Sequence, residues 1–256
     1  MILIATGMKR EAKVLERDGV TVIVGGLDPA RLEAELEAGV AAGARAILSM
    51  GLAGALAPML KPGDWVVGTI APTGMQRREW SVGAGAGRPR TTAASPLPEA
   101  GSRWGQGAGG WIDRLAKALP GAVVGRIHAD GTMIADAARK SALQIETRAL
   151  AVDMESHIAA RVAQRHGLSF AVARVISDAA SRSLPHAARV AMAPDGGIRV
   201  GAVLVAILTR PWQLPALIGV ALDARSAIKS LARGYDALAR AGFALGDEGQ
   251  FPLDMA

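Results

Sequence analysis

The chain has 256 residues, of which 50% are hydrophobic, 20% charged and 4% aromatic, and it contains no cysteine. That length suffices for one large α/β core, and the absence of thiols excludes a disulfide framework and a thiolate metal site. The formal net charge of +6 calls for an anionic partner, yet stacking residues are scarce and no helix-turn-helix or RNA-binding signature is present, which argues against nucleic acid. A basic surface facing anionic lipid headgroups fits the charge better, each Lys or Arg contributing about 1 kcal/mol there. A basic surface that serves only solubility is the plainer reading.

Ile2 to Ala5 read as a core strand. The run is too short for a secretory apolar region and lacks a basic leader, so a cytoplasmic protein is expected. Thr6-Gly7 turn into a helix from about Met8 through Leu15, with Glu11 in its first turn, where a carboxylate is favoured by the helix terminus alone. Thr21 to Val24 form a second strand closed by Gly25-Gly26, and Asp28-Pro29 start a helix as N-cap and first residue. Ala46 to Met50 make a third strand, which runs into Gly51-Leu52-Ala53-Gly54, read as a glycine turn that lets a ligand approach the backbone. Lys61-Pro62-Gly63-Asp64 is a tight turn feeding the strand Trp65 to Ile70.

Residues 77–110 are rich in Gly, Ala, Pro, Ser and Arg and read as a long mobile flap inserted into a single domain spanning 1–256. A helix is expected over Trp111 to Leu119, a strand over Ala122 to Ile127, and a helix capped by Asp136 through Ile145. Val152-Asp153-Met154-Glu155 then opens a helix that stops at Gly167, and Ala171 to Asp178 form a buried strand ending in Ser-Asp. Were these strands parallel, Glu155 and Asp178 would share the carboxyl edge where open α/β sheets keep their ligands. The last third, about 198–241, is apolar and helical. Arg210, Pro211 and Pro215 interrupt it below the ~20 residues of a membrane span, so two packing helices are expected. A sharper reading is a wall for a greasy substrate or a shallow membrane contact with Trp212 at the interface.

Glu11, Glu155 and Asp178 suit cleavage at a sugar's anomeric carbon. Positive charge developing on the ring is stabilised by one carboxylate, a second carboxyl protonates the leaving group and a third activates water. Asp178 would suit adenine, donating to N7 and accepting from the exocyclic amine. The ordinary alternatives are a helix-terminus carboxylate for Glu155 and a cap for Asp178. The four histidines show no helix-face pairing, so no metal site is expected, and Thr6-Gly7-Met8-Lys9 lacks the G-x-G-x-x-G of a dinucleotide enzyme.

Val152-Asp153-Met154-Glu155, Arg174-Val175-Ile176-Ser177-Asp178, Gly51-Leu52-Ala53-Gly54 and Lys61-Pro62-Gly63-Asp64 together resemble the nucleoside phosphorylase and nucleosidase superfamily. The resemblance covers residues 1 to about 180 and is greatest to the methylthioadenosine/adenosylhomocysteine nucleosidase branch. The basic, apolar-tailed form is similar to the hopanoid-associated phosphorylases, which remove adenine from adenosylhopane. The resemblance implies a three-layer α/β fold with a central mixed sheet flanked by helices, a homo-oligomer, and no cofactor beyond inorganic phosphate as a co-substrate of phosphorolysis. It also implies site roles: Asp178 as acid at N7 with Ser177 holding it, Glu155 on the ribose hydroxyls with Met154 beneath the ribose, and Glu11 orienting water. Ala53 and Gly54 line the substrate, and Met133 and Ile134 flank the purine. Leu52 replaces a hydroxyl residue usual in nucleosidases, and no arginine stands where the phosphorylases hold phosphate, Arg10 and Arg174 being the nearby cations. The balance favours hydrolysis of a 5′-apolar adenosine, at the inner face of the membrane. Phosphorolysis and methylthioadenosine/adenosylhomocysteine cleavage are alternatives, and a non-catalytic nucleoside or lipid carrier is the reading from a different class.

Overall fold

A computed structural model describes residues 1–70 and 105–242, without the side chains of 105–109. In chain order the elements are β1 (Ile2–Thr6), α1 (Lys9–Leu15), β2 (Val20–Val24), α2 (Pro29–Ala41), β3 (Ala46–Ala55), β4 (Trp65–Ile70), α3 (Gly105–Ala118) and β5 (Val123–Ala129). They continue with α4 (Ala137–Thr147), β6 (Ala151–Asp153), α5 (Ser156–Arg165), β7 (Ser169–Asp178), α6 (His186–Arg189), α7 (Val200–Thr209), a 3-10 turn (Pro211–Gln213) and α8 (Leu214–Arg240).

The seven strands form one mixed sheet in the order β2-β1-β3-β6-β5-β4-β7, and β7 pairs back onto β3. β3 runs parallel to β1 and β7 and antiparallel to β6, while β4 is antiparallel to β7. Alternation along β1 divides the core: Leu3 and Ala5 face α2 and α5 with Leu32, Leu36, Ile158 and Val162. Ile2 and Ile4 share the opposite cluster with Trp65, Leu115, Leu231 and Tyr235 from β4, α3 and α8. This period-two partition, covered by helices on both faces, makes the three-layer mixed α/β fold.

Several expectations are corrected. Gly51 to Gly54 do not turn; they lie inside β3, which continues to Ala55 in register with β7, with a shift between Ala53 and Gly54. β6 and β7 both pair with Gly54, but in opposite directions, so it is the shared neighbour β3, and not a parallel edge, that assembles their ends. Helix α3 starts at Gly105, ahead of the expected Trp111, so the expected flap overlaps a helix at 105–110, and 77–104 lie outside the described residues. The C-terminal helices are not simply packing elements. In α7 only Ala206 is buried, and the pair formed by α7 and the segment from Pro211 is bent by 110°. No single described helix is long and apolar enough to cross a membrane.

Gly234 in α8 is the notch that receives Trp65, because a Cβ there would lie 2.2 Å from the indole. Gly234→Ala is therefore expected to destabilise the fold by about 1–3 kcal/mol through overpacking, despite alanine's better helix propensity. Gly201→Ala, where a Cβ would meet nothing within 4 Å, should leave the thermal midpoint unchanged or raised. Melting curves of the two variants check the contrast, and equal midpoints would contradict it.

Candidate active site

Glu11 is 2% exposed and accepts four hydrogen bonds. Its Oε2 receives the Thr6 hydroxyl at 2.5 Å and the Gly7 and Met8 amides at 2.9 Å each, and its Oε1 receives the Leu52 amide at 2.9 Å. The Met8 contact caps the helix's own N-terminus, as the ordinary reading expected. The Leu52 contact crosses to β3, which no cap requires.

Beneath Glu11 lies Arg174, fully buried in the middle of β7. Its Nε is 2.9 Å from Asp153 Oδ2, and its Nη2 donates to the Ser49 and Ser156 hydroxyls at 2.6 and 3.1 Å and lies 3.7 Å from Glu155 Oε2. Its Nη1 is buried and has no hydrogen-bond partner among the described residues. A Cβ on Gly51 would come within 2.8 Å of that nitrogen and of Thr6 Oγ1, and 3.0 Å from Glu11 Oε2. The absent side chain of Gly51 is thus what lets the guanidinium, Thr6 and Glu11 converge.

Glu155 follows β6, where Asp153 Oδ1 accepts the amides of Glu155 and Ser156 at 3.0 and 2.8 Å and fixes the entry into α5. Gly7 and Gly25 leave room for its side chain: a Cβ on Gly7 would lie 2.8 Å from the Glu155 carboxyl and one on Gly25 would lie 2.9 Å from its Cγ. Burial pushes its pKa up to about 8, against the pull of Arg174 and helped by the charges of Asp153 and Glu11. A cavity of about 250 Å³ opens beside Glu155 and Met154, walled by Gly25, Gly26, Leu27 and Ile158.

Asp178 closes β7. Ser177 Oγ donates to its Oδ1 at 2.8 Å and lies 3.1 Å from the Ala53 carbonyl, while Gly54 leaves its carboxyl uncovered from β3. The ammonium of Lys140, fully buried on α4, donates to Asp178 Oδ2 and to the Ala179 and Arg182 carbonyls at 3.1 and 3.0 Å.

The residues singled out in the sequence fall into two connected groups. Glu11, Glu155, Met154 and Arg174 gather at one end of the β3 segment 51–54, and Asp178, Ser177, Ala53 and Gly54 at the other. Ile134 packs against the cluster of Leu56, Leu143 and Val152, and Met133 is half-buried beside it. Lys9 pairs with Asp195 at 2.5 Å on the surface, and Arg10 is exposed, so neither reaches the site. Sequence reasoning missed Lys140, although its position three residues before the buried Leu143 puts both on one helix face. It also gave no site role to Ser49, Asp153 or Ser156.

Because the folded pKa of Glu155 lies above its ordinary value of 4.5, the folded state binds the extra proton. The stability this provides is complete below pH 4.5 and is lost as pH rises through about 8. Glu155→Gln removes that dependence. The melting temperature of the variant relative to the unsubstituted protein should therefore rise between pH 5 and 9, and a constant difference across that range would show that Glu155 titrates normally.

With this geometry in view, comparison with known proteins is informative. Among curated proteins no sequence matches the chain. Solved structures that are similar include an S-adenosylhomocysteine nucleosidase from Streptococcus pyogenes in complex with 5-methylthiotubericidin, 21% identical over 70% of this chain and 84% of the other, with a TM-score of 0.53. Futalosine hydrolase of Helicobacter pylori is 17% identical over 93% and 97%, with a TM-score of 0.55. A 5′-methylthioadenosine/S-adenosylhomocysteine nucleosidase of the same organism is 18% identical over 92% and 97%, with a TM-score of 0.51. At these identities the likeness is one of fold. The family model of the phosphorylase superfamily matches residues 5–209, which is most of the chain, and the protein therefore belongs to the phosphorylase superfamily and is an enzyme.

Proposed function

We propose that the enzyme is a purine nucleosidase, cleaving the N-glycosidic bond of an adenosine with a large apolar 5′ group to release adenine. Adenosylhopane, giving ribosylhopane in hopanoid biosynthesis, is the candidate substrate, and residues 1–256 are taken as one domain acting as a homo-oligomer. The nucleosidase and hydrolase names of the similar structures support the substrate class. The observation that carries hydrolysis is the Glu11 carboxylate, immobilised by four donors beside the unpartnered Nη1 of Arg174. A water there would accept from Arg174 and donate to Glu11. Inorganic phosphate would instead meet the carboxylates of Glu11 and Asp153 around a single guanidinium, a surplus of like charge.

In this mechanism Asp178, oriented by Ser177, protonates adenine at N7 and accepts from its amine while Met133 and Ile134 flank the ring. Ala53 and Gly54 let the nucleoside lie close to β3. Glu155 binds the ribose hydroxyls above Met154. Positive charge growing on the ring favours the ionised Glu155 that burial opposes, so the contact strengthens towards the transition state. Glu11 and Arg174 deliver water to the anomeric carbon. The chemistry uses side chains and water, and phosphate enters only as co-substrate of the phosphorolytic alternative. That alternative would yield phosphoribosylhopane.

The same proposal places the protein on the inner face of a membrane. Val205, Leu208, Trp212, Ile218 and Leu222 are exposed along the bent pair, Leu208 by 80% and Trp212 by 72%. No acidic residue occurs between Asp195 and Asp223, whereas Arg199 and Arg210 do. A symmetric contact between two such faces would oppose arginines without acids, so an anionic bilayer is the better partner.

Adenine release from a 5′-apolar adenosine, assayed with and without phosphate, tests the reaction. Free ribosyl product in phosphate-free buffer is expected, strict phosphate dependence would establish phosphorolysis, and no adenine in either buffer would favour the carrier. Asp178→Asn and Glu11→Gln should each slow release about 10²–10⁴-fold, and turnover near that of the unsubstituted enzyme would remove the residue from its role. In vesicle sedimentation the protein should bind phosphatidylglycerol-containing vesicles but not phosphatidylcholine alone, and Leu208→Glu with Trp212→Ser should release it. A concentration-dependent dimer abolished by the same changes, without vesicle binding, would assign the face to self-association.

A further inference from the structure

The nucleosidase proposal requires Asp178 to give a proton to adenine, and the surroundings of Asp178 raise the question of where that proton is kept. Both carboxyl oxygens already face donors: Ser177 Oγ at Oδ1 and the Lys140 ammonium at Oδ2. Lys140 is fully buried, and its three ammonium hydrogens have three acceptors, Asp178, the Ala179 carbonyl and the Arg182 carbonyl. The two carbonyls belong to Ala179, next to Asp178, and to Arg182 in the same loop, so the ammonium and the carboxyl are fixed relative to each other by one loop. An ammonium is three donors with no acceptor and exchanges its proton readily, whereas a guanidinium keeps its proton in proteins.

Resting on that reading, we propose that Lys140 is the positioning residue that stores the proton Asp178 delivers. In the empty site the proton sits on Lys140 Nζ and Asp178 is a carboxylate. As the C1′–N9 bond breaks, its electron pair goes to adenine, Lys140 Nζ gives its proton to Asp178 Oδ2, and Asp178 gives that proton on to N7 and is a carboxylate again. Water forms the new C1′–O bond and gives its proton to Glu11, which releases it to solvent. Lys140 regains a proton through Asp178 after adenine leaves, since the lysine itself is sealed from solvent while Asp178 is 6% exposed. Atoms and charge return to the starting state at each turnover.

This assignment differs from a purely structural ion pair in its dependence on the leaving group. Adenine needs a proton to leave, whereas p-nitrophenolate does not. The test compares adenine release with nitrophenol release from ribosides carrying the same 5′ group, in the full chain and in Lys140→Met and Lys140→Arg. Both substitutions are expected to lower the ratio of adenine rate to nitrophenol rate by about 100-fold or more, Arg because it keeps the charge but not the mobile proton. An unchanged ratio in Lys140→Met, with both rates falling together, would overturn the proposal in favour of a structural role. A wild-type ratio in Lys140→Arg would overturn it by showing that charge alone suffices. Adenine release by the unsubstituted chain is read first and by itself; its absence would overturn the nucleosidase reading and the relay with it.

Discussion

A guanidinium with no exposure has to be neutralised where it sits, and the placement of Arg174 in the middle of β7 organises the site around that demand. A buried charge costs several kcal/mol unless opposite charge and hydrogen bonds meet it. Asp153 faces Nε of Arg174, and Ser49 and Ser156 both accept from its Nη2. Meeting them draws the end of β6, the start of α5 and the middle of β3 together. Asp153 in turn fixes the turn that presents Glu155. The third nitrogen, Nη1, has no hydrogen-bond partner among the described residues, and a buried donor in that condition is the feature a polar ligand would satisfy. The fold thus gathers three acidic side chains around one cation; burial raises the pKa of Glu155, and the charges of Asp153 and Glu11 add to that rise against the pull of Arg174.

Much of this was legible in the sequence because it is local. Asp28 and Asp136 cap their helices by accepting the amides of Arg31 and Arg139. Gly167 stops α5 in the left-handed conformation at φ 64°. Lys61 to Asp64 close as the expected turn, with the Lys61 amide on Asp64 and the Asp64 amide on the Lys61 carbonyl. Each depends on residues within a few positions of one another, which is the range over which propensity is informative.

What the sequence did not disclose is non-local. Gly51 and Gly54 carry the composition of a turn but serve as strand residues whose missing side chains admit Arg174, Glu11 and Asp178. Nothing within β3 distinguishes these uses, since the crowding comes from residues about 40 or more positions away in the chain, Glu11 on one side and Arg174 and Asp178 on the other. Lys140 would pass for a solvated charge on an amphipathic helix, and only the end of β7 and the loop after it supply its acceptors. In α7 the apolar composition matched a packing helix, and it is the 110° bend at Arg210 that swings it off the core.

The loop before α7 has a further meaning. The Pro194 carbonyl accepts the Leu27 amide at 3.0 Å, the Gly196 carbonyl accepts the Lys9 amide at 3.0 Å, and Gly26 donates to the Gly7 carbonyl at 2.9 Å. The base of the apolar arm is therefore stitched to the same backbone that walls Glu155. The arm and the cavity share one foundation, so whatever seats the arm also bears on the backbone that walls the cavity.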